Sequence, residues 1–356
     1  MKNKRGLLAF VAILYFCCVP LFSSHAATKK YGANFYPPAG KVLHIAGQTR
    51  DDIDDYIKNV SDYGKECPMP AGLASYTSLT LTGLDEPYMW SSPEVQHLSY
   101  TISKYNNTAL QVAVWLGREQ FEPIIAGTYD ANIAKLAEYF KKIKRPVYLR
   151  IGYEFDNPFG SQYDPELYKK SYRRIVEGLA KAGAKNISYV WHSYAMRPNY
   201  RTLDPMEWYP GDAYVNWVGI STFEITKEQE KGTNYYYGNN RDRLLKIARE
   251  KNMPVMICEA SPTKRTQAQK EKKGQAYWDF WFVPFFDFIE KNPEVRAFSY
   301  INCDWNAVEG FKSNDWGDSR LKEDAVVLRN WQKKMRDGRY LHSSANLYNL
   351  LGYNGK

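Results

Sequence analysis

The chain has 356 residues, 15% of them aromatic, and a formal charge of +9 at pH 7. That length supplies material for one large core or two modest ones. The basic balance suits an acidic or sulfated partner without requiring one. Lys and Arg are scattered rather than striped and no nucleic-acid motif is present, so nothing in the sequence favours nucleic acid as a partner.

Lys2, Lys4 and Arg5, the apolar run from Leu7 to Phe22 and the small-residue stretch Ser23 to Ala27 have the layout of a cleavable secretory signal over residues 1–26. The run covers 16 residues, short of the roughly 20 that a membrane span needs. Cys17 and Cys18 lack the small residue that a lipidation site wants before its cysteine. The expected product starts near Ala27, is secreted or periplasmic, and keeps no stable membrane anchor. Losing residues 1–26 removes three basic and no acidic side chains and lowers the formal charge from +9 to +6. Cys67, Cys258 and Cys303 then allow at most one internal disulfide and show no metal-ligand spacing. Neither a metal nor an organic cofactor is expected.

From about residue 41 short apolar runs rich in β-formers alternate with segments of helical period, without a Ser/Gly/Pro-rich linker. In chain order the expected strands are Lys41–Gly47, Gly72–Ser78, Leu110–Leu116, Val147–Gly152, Ile187–His192, Val215–Ser221, Pro254–Glu259 and Val295–Ile301. Between them, Ser92-Pro93 reads as a helix start. Ile133, Leu136, Ala137 and Phe140 form an apolar stripe. Asp164-Pro165 reads as an N-cap with Pro at the first helical position, followed by Tyr168, Tyr172, Ile175 and Leu179 on one face. Eight strands separated by helices predict one α/β domain over residues 27–335, a (β/α)8 TIM barrel. Long loops around Ala195–Asp212 and Glu224–Asn240 follow strands and fall at the C-terminal face, where such barrels build their sites. Residues 336–356, with few apolar anchors beyond Leu341, Leu347, Leu350 and Leu351, read as a C-terminal surface extension.

Val147 to Glu154 reads as a strand whose even positions, Arg150, Gly152 and Glu154, share a face. Ionisable groups on a buried strand need partners that offset their desolvation. A structural Arg150–Glu154 ion pair is one solution; a carboxylate opening into a site above a buried arginine is the other. Pro254 to Glu259 repeats the pattern, an apolar run ending in one carboxylate. Carboxyl groups at the tops of strands four and seven face each other across a barrel mouth, the arrangement that glycoside hydrolysis with retention requires at about 5–5.5 Å. Around them, His192 is placed to bond sugar hydroxyls or to serve structure. Trp90, Trp115, Trp191, Tyr194, Tyr235, Tyr236, Tyr237 and Trp305 lie near strand ends, where rings stack on sugar faces or fill the core. Glu119 and Glu224 are reserve carboxylates.

Leu149-Arg150-Ile151-Gly152-Tyr153-Glu154 resembles the fourth-strand motif of glycoside hydrolase family 26, the β-mannanase family of clan A. Trp208 to Gly219, with its Tyr-Pro-Gly-Asp segment, is similar to that family's approach to strand six, and Ile257-Cys258-Glu259 matches its seventh-strand position. The resemblance covers roughly residues 146–305. It implies Glu154 as acid/base, Glu259 as nucleophile and Trp305 as a sugar-stacking ring, with Arg150, Tyr153, Asp156, His192, Tyr194 and Phe223 lining the substrate. Tyr153 stands where the family has His, Asp156 where it has Asn, and Ser221 and Phe223 where it has Asp and Tyr. Phe223 cannot donate to Glu259, so another group, Tyr153, Tyr194 or Tyr300, is expected to orient it. These departures cluster at one subsite and put mannan in question as substrate. The sequence thus predicts a retaining hydrolase of a β-linked polysaccharide or oligosaccharide, mannanase- or xylanase-like or acting on an acidic or sulfated glycan. The competing reading is a non-catalytic carbohydrate-binding barrel, and an unrelated TIM-barrel hydrolase or lyase is a third.

Overall fold

The computed structural model describes residues 31–355 except 159, 161, 199–203, 230–234, 264–271 and 313–315, with residues 197–198 and 235–239 described by backbone alone. The signal expected over residues 1–26 lies outside the described residues, as do the side chains of Tyr235, Tyr236 and Tyr237.

Eight parallel strands close on themselves: β1 Val42–Gly47, β2 Gly72–Ser78, β3 Ala109–Trp115, β4 Val147–Ile151, β5 Ile187–Ser193, β6 Trp217–Ser221, β7 Val255–Ala260 and β8 Val295–Ile301. Closure is made by β8 against β1, from Leu43 opposite Ala297 to Gly47 opposite Ile301. Nearly every strand residue is buried, which is why the strands read as continuous apolar runs: one side of each packs on helices and the other fills the barrel.

Among the described residues the α-helices of seven residues or more are α1 Arg50–Asn59, α2 Leu98–Lys104, α3 Asp130–Ile143, α4 Pro165–Lys181, α5 Tyr237–Glu250, α6 Val283–Lys291 and α7 Ala325–Met335. Asp164 caps α4 by accepting from Leu167 N, with Pro165 at its first position. The stripes expected on α3 and α4 are buried against the barrel. No α-helix separates β5 from β6 among the described residues; single 3-10 turns at Pro205–Trp208 and Asp212–Tyr214 stand there instead. The two long loops meet in a short antiparallel ladder of Arg197–Pro198 with Tyr235–Tyr236. No helix of the described residues is long and apolar enough to cross a membrane.

Two expectations change. Ser92-Pro93 does not start a helix but turns a hairpin of Tyr88–Ser91 against Glu94–Gln96, and α2 begins only at Leu98. Pairing of the flanking segments outweighs the local Ser-Pro signal. The C-terminal segment, expected as a surface extension, runs under the barrel. Tyr340–Leu341 pairs with Val42–Leu43, and Leu341, Leu347, Leu351 and Tyr353 are buried with Phe35, Leu43, Ile45, Tyr148 and Trp217. Those few apolar anchors suffice because the open N-terminal end of the barrel already presents an apolar surface to be covered.

Candidate active site

Alternation along the strands decides what each end of the barrel contains. On β4 Tyr148 and Arg150 both face inward, on β5 Val190 and His192, and on β2 Ala74 and Tyr76. In each case the lower residue is apolar or aromatic and the one a pleat above is polar.

β7 breaks its own alternation to deliver a carboxylate. Met256 and Cys258 pack inside while Val255 and Ile257 pack on the outer layer. An undisturbed strand would send Glu259 outward. The ladders to β6 and β8 both shift register after Ile257, and this bulge turns Glu259 into the mouth. Its Oε1 accepts from Arg150 Nη1 at 2.6 Å and lies 2.6 Å from Tyr76 Oη. Gln48 Oε1 is 2.8 Å from the same hydroxyl. Tyr76 has one proton and the carboxylate is the stronger acceptor, so Tyr76 donates to Glu259. The Arg150 guanidinium is wholly buried and lies against two rings, 5.1 Å from the centroid of Tyr76 and 5.3 Å from that of Tyr153, a favourable setting for a desolvated cation.

Glu154 is delivered differently. β4 ends at Ile151, and both Gly152 and Glu154 have φ of +53°, so a left-handed turn rather than strand alternation aims the carboxyl. For Glu this backbone costs energy, as at many functional sites. Ser221 Oγ bonds Glu154 Oε1 at 2.5 Å and Asn157 Nδ2 donates to Oε2 at 3.0 Å. Burial, followed by the negative charge of Glu259, pushes Glu154 up to about 8, against the opposing bonds from Ser221 and Asn157. One carboxyl is thus paired with a cation and a phenol, while the other is held protonated at neutral pH.

Between them, His192 is fully buried, with Nδ1 3.3 Å from Arg150 Nη1 and Nε2 3.1 Å from Ser221 Oγ. Burial and Arg150 hold it well below the usual histidine range, as a neutral ring.

Of the nine residues singled out in the sequence, Arg150, Tyr153, Glu154, His192 and Glu259 meet at the mouth. Asp156 does not face it: Ser193 Oγ and Tyr194 N donate to its two oxygens at 2.6 and 2.7 Å, so it straps the end of β5. Burial pushes it up to about 6. Tyr194, Phe223 and Trp305 are buried together with Met196, Ile301 and Cys303. Trp305 is 3% exposed and packs on Phe311 and Trp316, so it stiffens the loops instead of presenting a face to a sugar. Exposed rings near the mouth among the described residues include Trp90 at 49% and Tyr88 at 45% on one hairpin, and Trp115 at 48%. Glu119 is exposed in a 3-10 turn, and Glu224 is buried beyond β6.

The tyrosine that bonds Glu259 is Tyr76, rather than the expected Tyr153, Tyr194 or Tyr300; Tyr300 instead donates to Ser319 O at 2.7 Å. The signal for Tyr76 lay in β2, where small Gly72 and Ala74 occupy alternate positions and Tyr76 is the next in phase. Elsewhere, Asp52, Glu94 and Cys303 bring donor atoms within 4.8 Å of one another, and Cys303 Sγ is 3.7 Å from Glu94 Oε1. They come from α1, from the hairpin strand Glu94–Gln96 and from the segment after β8, so no spacing announced them. A proton shared by the two carboxyls, both raised by burial, satisfies the same geometry as a cation.

A closed eight-stranded barrel with two buried carboxyls beyond strands four and seven has the arrangement that a glycoside hydrolase of the (β/α)8 class requires. Residues 87–293 match the family described as Glycosyl hydrolase family 26, and the chain belongs to that family. A beta-1,3-xylanase of Alcaligenes sp is 30% identical over 371 residues, covering 99% of this chain and 74% of the relative. Beta-1,3-xylanase TXYA of Vibrio sp is 29% identical over 374 residues, covering 99% and 75%. Among solved structures, the β-mannanase BoMan26A of Bacteroides ovatus superposes with a TM-score of 0.60 at 14% identity, covering 87% of this chain and 93% of that one. A Cellulomonas fimi endo-beta-1,4-mannanase double mutant gives 0.54 at 18% identity, covering 86% and 73%.

Proposed function

We propose that the protein is an exported retaining hydrolase of β-1,3-linked xylan, with Glu259 as nucleophile and Glu154 as acid/base. The observation that carries this reading is the asymmetry of the two carboxyls. Glu259 bonds to Arg150 and Tyr76, while Glu154, desolvated and repelled by Glu259, holds a proton at neutral pH. Glu259 attacks the anomeric carbon as Glu154 protonates the leaving oxygen, so the glycosidic bond breaks and an ester forms. Glu154, now ionised, takes a proton from water, whose oxygen attacks the same carbon and releases Glu259. The sugar is taken from the two xylanase relatives, which the chain matches along almost its whole length. The positively charged N-terminus followed by an apolar run supports export.

The test is reducing-end release from β-1,3-xylan, β-1,4-xylan, β-mannan and uronic and sulfated glycans, by wild type and Glu259→Gln side by side. Glutamine keeps an oxygen for Arg150 while removing the nucleophile. Release from β-1,3-xylan by wild type alone, with the product's anomeric configuration retained by NMR, is the expected result. Binding to a glycan without release from any of them would identify a non-catalytic carbohydrate-binding barrel instead.

A further inference from the structure

We infer that Ser221 is a positioning residue for the base half of the reaction, acting on Glu154 through a one-way hydrogen-bond relay from Arg150 by way of His192. The inference rests on the reading of Glu154 as acid/base. Donor chemistry fixes the relay's direction. Arg150 Nη1 can only donate, so His192 Nδ1, 3.3 Å away, accepts. The neutral imidazole therefore carries its proton on Nε2, which donates to Ser221 Oγ at 3.1 Å. The serine hydroxyl is left to donate to Glu154 Oε1 at 2.5 Å. Every proton points toward Glu154, and a bond donated to a carboxyl oxygen favours its ionised form.

That form is the one needed only in the second step. Arg150 Nη1 is shared between Glu259 Oε1 and His192 Nδ1. While Glu259 is a carboxylate it takes most of the guanidinium's polarisation, and Glu154 stays protonated. When Glu259 becomes an ester its charge is gone. The repulsion on Glu154 falls and the same Nη1 bonds more strongly to His192, which polarises the serine hydroxyl toward Glu154. The relay thus favours the base form of Glu154 in the glycosyl-enzyme. Other groups near Glu154 include Cys258 beside Glu259 on β7, and Tyr153 and Asn157 on its own loop.

Ser221→Ala and Ser221→Thr test it, assayed with an activated aryl β-xylo-oligoside, for which release of the glycosyl-enzyme limits turnover. Alanine is expected to lower kcat about 10- to 100-fold with a smaller change in kcat/KM, and to move the alkaline limb of kcat/KM upward by roughly half to one pH unit. Threonine keeps a hydroxyl and restores both. A side chain that only packs would not shift the limb or be rescued in this way. Unchanged kcat and limb in Ser221→Ala would overturn the relay. Nitrogen-15 NMR of His192 in the resting protein separates this from failure of the hydrolase reading, because it needs no turnover. A neutral ring protonated at Nε2 is expected, and protonation at Nδ1 overturns the relay whatever the enzyme cleaves.

Discussion

At the N-terminal end of the barrel the inward side chains are Leu43, Ile45, Tyr148, Val190, Trp217 and Met256, closed from below by Leu347, Leu351 and Tyr353. Higher on the same strands stand Arg150 and His192, two residues above Tyr148 and Val190, the bulged Glu259, three above Met256, and Ser221, four above Trp217. Two to four residues along a strand, about 7–13 Å, separate an apolar floor from a cluster of buried polar and ionisable groups. The floor is held by area removed from water and by edge-on rings such as Tyr148 and Trp217, 5.4 Å apart at 87°. At the mouth each buried charge instead needs a particular partner, and the left-handed turn at Glu154 adds strain. A floor of this kind supplies stability on which a costly mouth can be mounted.

Substitutions at the two ends should therefore fail in different ways. The largest effect is expected from Glu259→Gln, which should lower kcat/KM on β-1,3-xylan by about 10⁴-fold or more with little change in melting temperature. Activity within tenfold of wild type would place the nucleophile elsewhere. Next is Leu347→Ala at the floor. Leu347 is fully buried, and truncation there should cost about 2–5 kcal/mol of stability, read by denaturant unfolding, with kcat unchanged well below the melting temperature. A parallel loss of kcat would show that the ends are coupled.

What the sequence made legible follows the same division. The barrel was readable because every strand is buried on both sides, so all eight appeared as apolar runs within two residues of their observed bounds. Glu154 and Glu259 were readable because each ends such a run. The devices that aim them were not: alternation predicts an outward Glu259 and gives no hint of the turn at Glu154. Tyr76 was passed over since a tyrosine in a strand has an ordinary explanation as core, and its partner lies 183 residues away. Trp305 and Asp156 misled for the opposite reason. Their positions beside strand ends suited a ligand, but the loops used them to pack and to strap themselves.

Tyr76→Phe tests the device the sequence hid. It removes one bond to Glu259 and leaves Arg150 in place, so kcat should fall about 10- to 100-fold with KM little changed. Stability should move by no more than about 1 kcal/mol. Unaltered kcat would assign the orientation of Glu259 to Arg150 alone.

The smallest effect is also the one that separates the two substitution sites most directly, because only the change at the mouth removes a buried ionisable group. Glu154 is raised from the ordinary carboxyl range to about 8, and Asp156 to about 6. A carboxyl whose folded-state value lies above its unfolded one favours the fold fully below the unfolded value and loses that contribution as pH rises through the folded one. Wild type should therefore lose mouth stability between about pH 4.5 and 8. Glu154→Gln, which cannot ionise, should match wild type near pH 4 and exceed it at pH 9 by on the order of 2 kcal/mol, a few degrees in melting temperature. Leu347→Ala removes no proton-binding group, so its deficit should be the same at both pH values. A Glu154→Gln difference that stayed flat with pH would mean that burial does not hold the proton on Glu154. The asymmetry between the two carboxyls would then have to arise only once substrate is bound.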